Sequence, residues 1–136
     1  MKHQRKYVEA ERVYRSVLAG RAAALGPEHR DTLLTMANLA ALLSKTGRDE
    51  EALELTARCH AARRATLGLD HPDTLTAANN LALTLKKAGR LGEAEPLLRA
   101  AYEGRAARLG ADHPDTVTAY GNLQACLAEL KRKRKR

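Results

Sequence analysis

From residue 73 onward the apolar positions fall at three- and four-residue steps: Leu75, Ala78, Leu81, Ala82, Leu85 and Ala88 in DTLTAANNLALTLKKAG. That spacing lines them along one side of a helix and leaves Thr, Asn and Lys on the other. The same stripe stands 42 residues earlier, as Leu33, Met36, Leu39 and Leu43, and 42 later, as Val117, Tyr120, Leu123 and Leu127. Between these type A segments lie type B segments at 5–26, 47–68 and 89–110, in which Glu9, Glu51 and Glu93 coincide, as do Ala10, Ala52 and Ala94. The order is B, A, B, A, B, A. The pattern predicts helices over about 5–25, 29–46, 48–67, 71–88, 90–109 and 113–130.

The joints carry their own chemistry. LGPEHRDT, LGLDHPDT and LGADHPDT recur at the 42-residue period. Leu-Gly ends a type B helix because glycine tolerates the backbone that follows a helix terminus. Pro72 and Pro114 suit the first turn of the next helix, and Asp73 and Asp115 set negative charge at its positive end. Asp70 and Asp112 are the candidate caps. Gly47 and Gly89 end the type A helices. Self-similarity at one fixed period predicts an all-α fold, a right-handed α-solenoid of antiparallel helix pairs with six helices over 1–130.

Composition changes this picture little. Trp and Phe are absent, and the 44% hydrophobic content is mainly Ala and Leu, which suits helices. No stretch approaches the ~18 apolar residues of a membrane span, and the start has no signal-peptide core. These features imply a soluble, cytoplasmic protein with no membrane partner. The abundance of Ala and Arg points to a bacterial source. Cys59 and Cys126 stand alone and read as small buried thiols.

The net charge of +8 is concentrated in a basic tail at 131–136 (Lys131, Arg132, Lys133, Arg134, Lys135 and Arg136), which leaves +2 on the body. This tail reads as a solvated, disordered end, as a patch for nucleic acid or an acidic partner, or as a nuclear address in a eukaryote.

Read from the second type A segment, NNLALTLKKAGRLGEAEPLLRAAYE at 79–103 resembles a tetratricopeptide repeat. The 42-residue period and the LGxDHPDT link are similar to the kinesin-light-chain type of that repeat, which also occurs in bacterial multidomain regulators. The resemblance implies a protein–protein interaction scaffold whose concave groove is walled by type A helices. It directs attention to Asn79, Asn80, Lys86 and Lys87 on the second such helix, Asn38 and Lys45 on the first, and Asn122 on the third. Asn amides both donate to and accept from a peptide backbone, and lysines attract acidic side chains. Asn38, Asn80 and Asn122 are in register, either as a ladder of backbone clamps or as amides tying one helix to its neighbour.

His29, His71 and His113 lie one per repeat. Zinc needs three or four ligands around one ion, so these histidines read as joint residues, with no metal or other cofactor. No phosphate loop or nucleophile–base motif is present, and the chain reads as non-enzymatic. It begins with a type B helix and ends with a type A helix, and each would expose an apolar stripe. Two expectations follow: a fragment of a larger multidomain regulator, or self-association through the end helices.

Overall fold

The structure is a computed structural model that describes the backbone of residues 2–134 and the side chains of 5–134. It contains α1 (Lys2–Leu25), α2 (Arg30–Lys45), α3 (Asp49–Leu67), α4 (Pro72–Lys87), α5 (Leu91–Leu109) and α6 (Pro114–Arg134). No strand occurs among the described residues. The helices group into two compact units, Met1–Ala62 and Arg63–Arg136.

In the first unit the type A stripe does what its spacing predicts. Leu33, Met36, Leu39 and Leu43 of α2 are buried in one cluster with Ala52, Leu55 and Cys59 of α3, and Tyr14 and Leu18 of α1 pack against it. The Cys59 thiol donates to the Leu33 carbonyl at 3.6 Å. Across the edge of this unit Glu11, Arg15, Arg48 and Glu51 close a ring of ion pairs. The paired arginines hold both carboxyls below the ordinary carboxylate value.

In the second unit α5 packs on both α4 and α6. Leu75, Leu81 and Leu85 of α4, Leu98 and Ala101 of α5, and Leu123 and Cys126 of α6 are buried. Pro96 lies within α5, past its first turn, so the Gly92 carbonyl lacks the amide donor four residues on. Gly92 is exposed, and water can satisfy that acceptor. Gly104 is the point of closest approach: a Cβ there would stand 2.7 Å from both terminal carbons of Leu75.

The type A helices α2 and α4 end in the same two-bond closure. The Gly89 amide donates to the Lys86 carbonyl at 3.1 Å and the Arg90 amide to the Leu85 carbonyl at 2.8 Å. This is a Schellman closure, and it needs the left-handed φ of +83° that glycine supplies. The type B helices end differently. Gly110, at φ 91° and ψ 157°, occupies a region that is essentially glycine's alone.

The structure corrects the sequence reading in two respects. The caps are the histidines, not Asp70 and Asp112. Nδ1 of His29, His71 and His113 accepts the backbone amide two residues on, at 3.1, 3.0 and 3.1 Å. Nδ1 stands as many bonds from Cα as the side-chain oxygen of Asp or Asn, so an imidazole reaches the same orphan donor. Only the neutral ring protonated on Nε2 makes this bond.

The second correction concerns the basic segment. α6 does not stop at 130 but continues through Lys131, Arg132, Lys133 and Arg134. Lys and Arg are good helix formers, and cations are favoured at a helix C-terminus. Lys135 and Arg136 lie outside the described residues.

Candidate binding surface

The polar side of α4 carries the residues the sequence singled out. Thr76, Asn79, Leu83 and Lys86 follow one another at three- and four-residue steps, so they share a face, with Asn80 and Lys87 beside it. Asn79 and Lys86 are half-buried, whereas Asn80, Leu83 and Lys87 are exposed. This face is left over once Leu75, Ala78, Leu81, Ala82 and Leu85 enter the core.

α6 adds one residue to it. Asn122 Nδ2 donates to Asn79 Oδ1 at 3.2 Å, joining α4 to α6. Each side chain retains capacity after that bond: the Asn79 amide nitrogen still has its donors, and the Asn122 oxygen is still an acceptor. Asn80, the residue in register with Asn122, instead uses its backbone carbonyl to accept from the Thr84 hydroxyl at 2.8 Å. Asn38 and Lys45 lie on α2 in the first unit, both exposed.

The surroundings set the electrostatics. Cys126 of α6 is buried and donates to the Leu91 carbonyl at 3.7 Å. Burial pushes its thiol above the ordinary value, and the negative charge of Glu95 adds to this while Lys86 opposes it. A thiol held protonated is a poor nucleophile, so the chemistry of the surface rests on amides and ammonium groups. The four cations Lys131–Arg134 are exposed on the last turns of α6. Among the described residues, no three His, Cys, Asp or Glu side chains come together as metal ligands.

One recurring group escaped the sequence reading. Arg21, Arg63 and Arg105 stand at the 42-residue spacing near the ends of the type B helices. Each ties its helix to the start of the next. Arg21 donates to the Thr35 hydroxyl at 2.8 Å, Arg63 pairs with Asp73 at 3.6 Å, and Arg105 reaches the Asp115 carbonyl at 3.5 Å. The only signal was their common register, among many other arginines.

The tetratricopeptide repeat family model matches residues 2–31, 32–73 and 74–115 in succession. Among solved structures, a kinesin light chain protein of Podosopora anserina with nearly identical TPR-like repeats is similar over nearly all of this chain. A point-substituted form of that protein shares 26% identity at a TM-score of 0.82, over 97% of this chain. The form without the substitution gives 25% identity, a TM-score of 0.81 and 98% coverage. BtubC (BKLC) from P. vanneervenii shares the fold over 94% of this chain, at 23% identity and a TM-score of 0.80. This chain spans 62%, 64% and 50% of those three structures. No curated protein matches it in sequence. No helix of the described residues is long and apolar enough to cross a membrane.

Proposed function

Because the chain belongs to the tetratricopeptide repeat family, an all-α solenoid fold that typically serves as a protein–protein interaction scaffold, we propose that it binds an extended peptide segment of a partner protein. The face formed by Asn79, Asn122 and Lys86 is the binding wall. The observation that carries the reading is the Asn122–Asn79 hydrogen bond, which fixes two amides side by side with donors and an acceptor to spare. A peptide backbone presents the complementary groups, and holding the amides in place before binding lowers the ordering cost. Lys86 and Lys87 bias the choice toward a partner with acidic side chains. Asn80 flanks the wall, and Asn38 and Lys45 present the same chemical groups by themselves on α2 of the first unit. The reading is of a cytoplasmic binding module and not a catalyst.

The test is fluorescence polarisation against a panel of extended acidic and neutral peptides, with Asn79→Ala, Asn122→Ala and Lys86→Ala beside the parent. The Asn variants should lose affinity for acidic and neutral binders alike, and Lys86→Ala for acidic ones alone. Helical variants that all bind as the parent does would rule the wall out.

A second reading uses the exposed cations Lys131–Arg134 as a patch for nucleic acid or another acidic partner. It predicts affinity that falls steeply with salt and disappears when 131–136 is deleted. The third, a module within a larger regulator, draws on the share of its structural relatives that the chain spans.

A further inference from the structure

The 42-residue frame shows where the third copy leaves the pattern of the other two. Gly47 and Gly89 follow α2 and α4 at positive φ and end them. Their equivalent is Lys131, and α6 runs on through it to Arg134. The next positions depart in one direction. Asp49 and Leu91 become Lys133, and Glu50 and Gly92 become Arg134, while Arg132 keeps the arginine of Arg48 and Arg90. α2, α3 and α5 each carry one cation in the last turn, which is what the helix dipole favours. α4 carries Lys86 and Lys87 there, and α6 carries Lys131–Arg134.

α4 and α6 end at the same edge of the second unit. α5 packs on both and is joined to each by a short turn, so it runs back between them and they run the same way. The Asn122–Asn79 bond sets their level. Lys86 and Lys87 lie about 10–12 Å past Asn79 along α4, and Lys131–Arg134 lie about 13–18 Å past Asn122 along α6, from the helical rise. Lys86 stands close enough to α6 for its charge to act on the Cys126 thiol. Of the carboxylates near this edge, Glu93 pairs with Arg90, Glu95 with Arg99 and Glu129 with Arg132. Lys87 and Lys131–Arg134 are exposed, and Lys86 is half-buried.

We propose that Lys86 and Lys87 of α4 and Lys131–Arg134 of α6 form one phosphate-binding edge, which holds a nucleic-acid duplex by its backbone without reading its sequence. The proposal rests on the nucleic-acid reading of Lys131–Arg134 given above and extends it from one helix to two. Successive side chains turn by about 100°, so Lys131–Arg134 surround the end of α6 instead of lining one side. The phosphates on both sides of a major groove can meet such a helix end, and an acidic peptide along one side cannot. A duplex also carries a dense line of phosphates, one charge per ~1.7 Å of axis. A single strand would need aromatic platforms for its bases. Tyr120, the aromatic residue of α6, stands about 16 Å along the helix from Lys131 and leans on Tyr102.

The full chain is titrated into a fluorescein-labelled DNA duplex of mixed sequence, read by anisotropy over a range of salt concentrations. The logarithm of affinity falls with the logarithm of salt at about −0.9 per phosphate contacted, giving a slope between about −4 and −5 with most of the edge engaged. Lys86→Gln combined with Lys87→Gln weakens binding at low salt and makes the slope shallower by about 2. Lys87→Glu, at an exposed position, repeats the test should loss of the half-buried Lys86 lower helicity in circular dichroism. Arg64→Gln, in the last turn of α3 and so beside the start of α4, keeps the affinity and slope of the parent. A parent that does not bind at low salt overturns both the proposal and the nucleic-acid reading beneath it. A parent that binds, with lysine variants that keep its affinity and slope, leaves that reading standing and overturns the shared edge. Equal loss from Arg64→Gln overturns it too, by revealing an effect of net charge alone. So does a single strand of the same length that binds as tightly, or polyglutamate that displaces the labelled duplex as well as unlabelled duplex of equal charge.

Discussion

Gly20 and Gly104 occupy one position of the 42-residue frame two periods apart, five residues from the ends of α1 and α5. Substituting each by alanine makes the same chemical change in the same kind of helix. Both gain about 1 kcal/mol of helix propensity. At Gly20 nothing lies within 4 Å of the new Cβ, so that gain stands alone. At Gly104 the Cβ meets both Leu75 terminal carbons at 2.7 Å, and Leu75 is only 3% exposed. Leu75 cannot swing into solvent. Either its rotamer is forced or α5 shifts off α4, at a cost of roughly 1–3 kcal/mol. Gly20→Ala should therefore stabilise by about 0.5–1 kcal/mol. Gly104→Ala should be neutral to destabilising by about 2 kcal/mol once the propensity gain is subtracted.

The difference between the two variants removes the propensity term and isolates the clash. Urea denaturation followed by far-ultraviolet circular dichroism measures it, with unchanged slopes confirming comparable transitions. A double-mutant cycle names the cause: Leu75→Val, which lacks the two clashing carbons, should cost less in the Gly104→Ala background than in the parent. Equal stabilisation by both alanines would refute the reasoning, and so would a cycle with no coupling.

Further outcomes follow from the same structure. Leu98→Ala removes a side chain that is 1% exposed and should cost about 2–5 kcal/mol, read as a lowered urea midpoint. His71→Ala deletes the cap on the Asp73 amide and should cost about 1 kcal/mol, while His71→Asn, which keeps an acceptor in reach, should cost much less. Thr116 is buried with no hydrogen-bond partner for its hydroxyl, whereas its equivalent Thr32 donates to the Gly26 carbonyl at 2.8 Å. Thr116→Val should thus be neutral or stabilising in thermal melts, and Thr32→Val should lower the midpoint. The carboxyls of Glu11 and Glu51 are held low by Arg15 and Arg48, so their contribution to stability is present above the ordinary carboxylate value and lost as pH falls through the lowered ones. Melting temperature against pH should fall less steeply in the acid range for Glu51→Gln than for the parent.

The parts of the fold that the sequence displayed are those repeated without change. Gly26, Gly68 and Gly110 fixed the period, and the stripe from Leu75 to Leu85 fixed the helix type and its buried side. Both signals are local, since each depends on residues within one or two turns. The caps were misassigned because side-chain preference favours Asp over His at such a position, and the choice depends on which residue holds extended backbone before the first turn. Arg21, Arg63 and Arg105 were not legible, because an exposed arginine becomes a tie only when the next helix start comes within reach. The Asn pair was half legible. The frame aligns Asn122 with Asn80, yet its partner is Asn79, one residue away from the register position. Period alone gives equivalence between positions, and contact depends on how far one helix is turned against the next.

That distinction bears on how a repeat chain should be read for function. Three copies of one frame act as controls for one another. Where a position is buried in two copies, it belongs to packing, and the third copy shows what packing leaves open. Val117 and Tyr120 stand at positions buried in the other two copies, so the frame accounts for their apolar character without a ligand. Asn79 is the opposite case. Its equivalents are Ala37 and Gly121, neither of which can hydrogen-bond through a side chain, so the frame does not require an amide there. An asparagine that packing does not demand, held in place by Asn122 on the next type A helix, is the stronger indication of a binding role. The same logic ranks Lys86 below Asn79: its equivalents Ser44 and Ala128 show that the frame does not require a lysine there, but of the two it is Asn79 that takes the bond from Asn122. Departures from the repeat that also gain a specific partner are therefore where mutagenesis of the binding wall should begin.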